Sequence, residues 1–200
     1  RRQRQMCIRD RLGAGVDYAN ANTGDLGGID YVDAISGVDA MVSNGFADPN
    51  WLGVGGYSYG GYLSSWSITQ TTRFKAAVSG GILADLISFY GTTDIPQYLT
   101  IHLAEPPFPE QSLAWQRSPL KHASKVTTPV LFYVGDSDQR TPPGQVHQMH
   151  RAVEDAGVTT LKVIYPGEGH GFVDRNNQLD LMQRMLDWYG RYLAPAGESQ

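Results

Sequence analysis

The stretch Trp51-Leu52-Gly53-Val54-Gly55-Gly56-Tyr57-Ser58-Tyr59-Gly60-Gly61-Tyr62 decides the reading of this chain. A short apolar run, Trp51 to Val54, ends in Gly55-Gly56, and beyond Ser58 the residues Tyr62, Leu63, Trp66 and Ile68 lead to the polar Gln70 to Arg73. Strand, sharp turn, helix is the order this predicts. Gly56-Tyr57-Ser58-Tyr59-Gly60 is a Gly-x-Ser-x-Gly pattern placed between a strand and a helix, the setting in which such a serine is presented as a nucleophile. A strained turn at Ser58 calls for glycine two residues before and after it, where side chains are expected to collide with the neighbouring strand and helix. The turn also sets Ser58 at a helix N-terminus, so the backbone N–H of Tyr59 and the positive end of the helix dipole can meet a developing oxyanion. The plainer reading of the same residues is a helix with Ser58 as its N-cap.

Outward from this stretch, Ile29, Val32, Ile35, Val38, Met41 and Val42 recur at helical spacing and stop at Asn44-Gly45, a helix packed by one face. Phe74 to Val78, Val130 to Val134 and Leu161 to Tyr165 read as strands, the second apolar throughout, as in a parallel strand buried on both faces. A helix carrying Val146, Met149, His150 and Val153 closes at Gly157, and Met182, Met185, Leu186, Tyr189, Tyr192 and Leu193 mark a last helix before Pro195. Alternating strands and helices predict an α/β protein with a mostly parallel sheet covered on both sides, and ligands in such folds sit at the carboxyl ends of strands. Gly91 to Pro119, rich in Pro and Thr, is expected to be an irregular excursion with short helices that shapes a substrate pocket.

An acid and a histidine follow two of the later strands. Gly135-Asp136-Ser137-Asp138 comes after Val134, and Gly167-Glu168-Gly169-His170-Gly171-Phe172 after Tyr165. The order Ser58, Asp138, His170 is that of α/β-hydrolases. A histidine can take the serine's proton and return it to the leaving group, while the carboxylate fixes its tautomer and stabilises the imidazolium. Asp136 competes with Asp138 for the orienting role, and Asp138 is preferred. Glu168 is a third acid, read as a solvated loop carboxylate because it stands too close in sequence to His170 to reach its far nitrogen.

Composition narrows the alternatives. Two hundred residues with 41% hydrophobic and 18% charged side chains fit one globular domain, with no run long enough to span a membrane. A net charge of −4 gives no footprint for a nucleic-acid backbone. The single cysteine, Cys7, is compatible with a reducing compartment, which leaves localisation open with the cytoplasm favoured. Residues 1–11 hold five arginines without apolar periodicity, and read either as an artefactual extension or as a solvated basic tail. Residues 196–200 form a second tail, which leaves 12–195 as the domain. Gly53-Val54-Gly55-Gly56-Tyr57-Ser58 matches neither a dinucleotide nor a phosphate loop. His147 and His150 lie one helical turn apart but have no acidic or cysteine partner beside them, so they, His102 and His122 read as structural. No cofactor or metal is expected.

Gly24-Asp25-Leu26-Gly27-Gly28-Ile29-Asp30, Gly56 to Tyr62, Ser118-Pro119, Thr128-Pro129-Val130-Leu131, Gly135 to Pro142 and Pro166 to Phe172 together resemble the catalytic domain of the prolyl oligopeptidase family of serine peptidases, especially its acylaminoacyl-peptidase and dipeptidyl-peptidase branches. The resemblance implies Ser58 as nucleophile, Asp138 and His170 as its partners, and the Tyr59 N–H as one oxyanion donor. It implies that Arg140 binds a peptide carbonyl of the substrate. Thr141, where the family usually has Val, would line the pocket for the residue before the cleaved bond, and this departure weakens a strict proline preference. Phe89, with Tyr62 or Trp66, would supply an aromatic wall. The family also has upstream strands, a second oxyanion donor and a β-propeller, which are not in these 200 residues. The expected substrate is a short or acylated peptide, and a homo-oligomer of the full-length parent is allowed. This stretch alone is expected to be weak or inactive, with an exposed sheet edge. The alternatives are a carboxylesterase or dienelactone-hydrolase-like enzyme, and a non-catalytic binding module on the hydrolase fold.

Overall fold

The computed structural model describes residues 20–108 and 112–193. The tails assigned to 1–11 and 196–200, with Cys7, lie outside the described residues. Four parallel strands, β1 (Leu52–Tyr57), β2 (Phe74–Gly80), β3 (Val130–Gly135) and β4 (Thr160–Tyr165), stand side by side in sequence order. Each parallel step needs a crossover. Helix α2 (Tyr59–Gln70) joins β1 to β2, and α6 (Pro143–Asp155) joins β3 to β4. Between β2 and β3 run α3 (Leu86–Thr92), α4 (Gln97–Leu103), α5 (Leu113–Gln116) and a 3₁₀ segment, Pro119–Lys125. The excursion is thus a chain of short helices as read from the sequence, though it begins with α3, before Gly91. Helices α1 (Ile29–Ser43) and α7 (Arg175–Tyr192) complete the layers.

Strand alternation sorts β3 between two cores. Val130, Phe132 and Val134 pack with Ile68, Val146, Met149 and Val153, and with Ile35, Val38 and Val42 of α1. Leu131 and Tyr133 face the other way, against Tyr165, Trp188, Met185 and Tyr189. A third cluster seats the excursion on α2 through Tyr62, Trp66, Leu86, Phe89 and Leu99.

Three elements differ from the sequence reading. Strand β1 does not stop at Val54 but runs to Tyr57, because Gly55, Gly56 and Tyr57 pair with Val78, Ser79 and Gly80. Val32, placed on the packed face of α1, is 52% exposed. At 100° per residue it lies about 90° from the centre of the Ile35, Val38 and Val42 stripe. In α7, Met182 and Leu186 are exposed for the same reason, lying about 75° and 115° off the face built by Leu181, Met185, Trp188, Tyr189 and Tyr192. No helix of the described residues is long and apolar enough to cross a membrane.

Candidate active site

Ser58 stands between the last residue of β1 and the first of α2, with φ 60° and ψ −122°. A β-carbon disfavours this backbone region by about 1–3 kcal/mol, so the surroundings must hold it. They do so from both sides: Ser58 N–H donates to the Gly80 carbonyl at 3.0 Å, and Tyr62 N–H donates to the Ser58 carbonyl at 2.9 Å. The serine side chain makes no capping bond to α2, so its hydroxyl is not consumed as an N-cap. Gly56 is required because a Cβ there would overlap the backbone of Gly60. The expected collision at Gly60 is absent, since a Cβ on it points into open space. The close approach falls one residue later, at Gly61, against the Gly80 carbonyl of β2.

Tyr59 opens α2, and the amides of a helix's first turn have no partner inside the helix. Its hydroxyl donates to the buried Asp30 carboxylate, which also accepts from the Gly27 and Tyr31 amides at 3.2 and 2.9 Å. Burial, and then the Asp30 charge, raise the Tyr59 phenol far above its ordinary pKa, so it stays a donor. This clamp fixes the first residue of α2 beside Ser58. Nothing local in the sequence gives Asp30 this role, since its Tyr59 partner lies 29 positions away.

The chain ends of β3 and β4 bring the other two residues to Ser58. His170 Nε2 lies 3.0 Å from Ser58 Oγ, and His170 Nδ1 lies 2.9 Å from Asp138 Oδ2. Asp138 Oδ1 accepts the amides of Arg140 and Thr141 at 2.9 and 2.8 Å, and Oδ2 accepts the Thr141 hydroxyl at 2.8 Å and the Tyr57 hydroxyl at 3.3 Å. The Tyr57 ring also packs against the imidazole, with centroids 5.1 Å apart. An acid this fully supplied with donors orients the ring and leaves Nε2 as the acceptor toward Ser58.

Burial alone would raise the Asp138 carboxyl; bonds from His170 and from the amide and hydroxyl of Thr141 outweigh it and hold the carboxyl below its ordinary pKa. A folded-state pKa below the unfolded one adds stability above the unfolded value, which is lost as pH falls through the folded value. The denaturation midpoint of the native chain is therefore expected to drop from about pH 5 downward. Asp138→Asn should flatten that drop, and an unchanged slope would contradict the assignment of these bonds.

Of the competing acids, Asp136 accepts from the Ser137 hydroxyl and the Gly167 amide, which ties the turn after β3 to the turn after β4. Glu168 is buried rather than solvated: it accepts the Val173 and Asp174 amides and the Asn177 side chain, fixing the entry to α7. The turn after Gly167 folds its side chain inward toward those donors.

The residues expected to bind substrate are placed otherwise than the sequence suggests. Phe89 and Tyr62 form no open wall; they are 1% and 0% exposed in the cluster beneath the excursion, and the Tyr62 hydroxyl donates to the Arg117 carbonyl. Their bulk is what holds α3 and α4 on α2. Thr141 is 1% exposed and spends its hydroxyl on Asp138 instead of lining a pocket. Arg140 is half-exposed and paired with Asp94, a residue the sequence reading did not single out. A cleft of about 370 Å³ lined by Asp25, Tyr31, Trp66 and Arg117 among others includes none of Ser58, Asp138 and His170. Among the described residues no group of three His, Cys, Asp or Glu side chains is arranged to hold a metal ion.

A profile of the prolyl oligopeptidase family matches residues 8–196. The chain belongs to that family. Its prolyl oligopeptidase relatives include the uncharacterized peptidase YuxL of Bacillus subtilis, 37% identical over 190 residues that cover 92% of this chain and 29% of that protein. They also include the acylamino-acid-releasing enzyme of Arabidopsis thaliana, 32% identical over 193 residues covering 92% of this chain and 25% of that protein. Among solved structures, a puromycin-hydrolyzing peptidase of Mycobacterium tuberculosis superimposes with a TM-score of 0.84 at 34% identity, over 90% of this chain and 28% of that one. The present chain thus spans between a quarter and a third of the length of these prolyl oligopeptidase relatives.

Proposed function

We propose that this chain carries the nucleophile, base and acid of a serine peptidase that cleaves short or N-acylated peptides through an acyl-enzyme. The observation that carries the reading is the unbroken hydrogen-bonded path from Ser58 Oγ through both nitrogens of His170 to Asp138. Ser58 Oγ attacks the substrate carbonyl as His170 Nε2 takes its proton, and the imidazolium is stabilised across its Nδ1–H by Asp138. The Tyr59 N–H donates to the oxyanion, which strengthens that bond as charge develops. Collapse of the tetrahedral intermediate breaks the C–N bond, and His170 hands the proton to the leaving amine. Water, deprotonated by the same imidazole, then releases the acyl group and restores the Ser58 hydroxyl. Relatives named acylamino-acid-releasing enzyme and acylaminoacyl peptidase favour an acylated amino acid or peptide as substrate, and Arg140 is the residue to meet a carbonyl preceding the scissile bond.

The test is covalent labelling by an alkyl fluorophosphonate, followed by mass spectrometry of the modified peptide. Labelling is expected on Ser58 and is expected to vanish in Ser58→Ala. Equal labelling of the two proteins would reject the nucleophile.

A further inference from the structure

Arg140 is held at three points by two different parts of the fold. Its backbone N–H donates to Asp138 Oδ1 at 2.9 Å, which locks it to the acid. Its carbonyl accepts the Thr93 hydroxyl at 2.7 Å, and the neighbouring Gln139 carbonyl accepts the Asp94 N–H at 3.0 Å. Its guanidinium is gripped in parallel by Asp94, Nε to Oδ1 at 2.6 Å and Nη2 to Oδ2 at 3.2 Å. The segment between α3 and α4 therefore clamps the loop that carries Asp138.

The chemistry of the fork makes this more than a surface pair. Exposed ion pairs contribute little when two long side chains must be ordered to form them. Here Thr93 and Asp138 already fix the arginine backbone, and the contact is bidentate, the geometry in which such pairs are strong and directional. A guanidinium has five N–H donors in one plane. Asp94 uses one on Nε and one on Nη2, which leaves both on Nη1 and the second on Nη2 unused by the pair. Both side chains remain about two-fifths exposed, at 41% and 39%, so the pair leaves the guanidinium accessible from solvent.

We propose that Asp94 is a positioning residue that sets the preference for substrates with an amide carbonyl one residue before the scissile bond, by holding the Arg140 fork with its unused donors accessible. The inference rests on the reading of Arg140 given under the proposed function. Without the carboxylate, the guanidinium keeps its charge but loses its fixed plane, so the carbonyl contact weakens while the reacting groups stay in place.

The experiment compares two phosphonylating probes on the full chain, an N-acyl-aminoacyl diphenyl phosphonate, which has that carbonyl, and an alkyl fluorophosphonate, which lacks it. In both, Ser58 Oγ bonds to phosphorus, phenoxide or fluoride leaves, and the serine proton passes to His170. The ratio of the two second-order rate constants, acylaminoacyl over alkyl, is the readout. Asp94→Asn is expected to lower it about tenfold, the scale of one hydrogen bond to a charged group. Arg140→Gln should lower it at least as much, the double variant should fall no further than Arg140→Gln, and Asp94→Glu should recover most of the loss. An unchanged ratio in Asp94→Asn beside a lowered one in Arg140→Gln overturns the role of Asp94 and leaves the peptidase reading intact. An additive double variant, or a fall in both rate constants together, also overturns it. An unchanged ratio in Arg140→Gln removes the carbonyl site and this inference with it. If neither probe labels the native chain, the inference falls together with the proposed function on which it rests.

Discussion

Asp138→Asn is expected to lower kcat for a peptide substrate by about 10⁴-fold with little change in KM, the scale seen when the orienting acid of a serine-histidine pair becomes an amide. The structure explains why the loss should be that large. The Arg140 and Thr141 amides both point at Oδ1 of Asp138. An asparagine would turn its carbonyl oxygen to those two donors, since its amide nitrogen there would face N–H groups. Its NH₂ would then face His170 Nδ1, which must act as acceptor, and the ring proton would move to Nε2. In that tautomer the imidazole cannot accept the Ser58 proton across the 3.0 Å contact. Steady-state kinetics with a chromogenic peptide amide measures the effect. A loss smaller than about tenfold would mean that another acid orients the ring.

Gly61→Ala should destabilise the fold by about 3 kcal/mol, against a helix-propensity gain of about 1 kcal/mol that acts the other way. A methyl at this position overlaps the Gly80 carbonyl, backbone against backbone, so no rotamer relieves it. Neither partner is free to move. The Gly80 carbonyl accepts the Ser58 N–H, and the Gly61 carbonyl accepts the Ser79 hydroxyl, itself 2.8 Å from that of Ser65. Gly60→Ala is the built-in control: its methyl meets nothing, so it should be neutral or stabilising by up to about 1 kcal/mol. Urea denaturation of the two variants side by side decides the point, and equal stabilities would contradict the close helix–strand contact. Because the same contact supports the strained Ser58 backbone, labelling of Ser58 in Gly61→Ala should fall with the folded fraction.

Much of the architecture was legible because local signals agreed. The strand, turn and helix around Ser58, the apolar run of β3 and the stop at Gly157 each follow from short-range pattern. Misplaced residues lay where pattern is only approximate. Val32, Met182 and Leu186 fit a helical repeat yet fall at the margin of the packed stripe. Gly55 and Gly56 read as punctuation, but in β1 they are strand residues, since pairing with β2 overrides their low strand preference. Aromatic residues misled most. Phe89 and Tyr62 look the same in sequence whether they wall a pocket or fill a core, and burial separates the two.

Sequence alone determined which residue types stand at strand ends and in what order: Ser58 after β1, Asp138 after β3, His170 after β4. That information is local, because a nucleophile turn and an acid loop are each specified within a few residues. Only the tertiary structure decided the partners across the fold. Tyr57 reaches Asp138 over 81 positions, Asp94 reaches Arg140 over 46, and Asp30 reaches the Tyr59 hydroxyl over 29. No periodicity links such pairs. They meet because parallel strands bring their carboxyl ends to one rim, where side chains distant in the chain compete for the same few donors and acceptors.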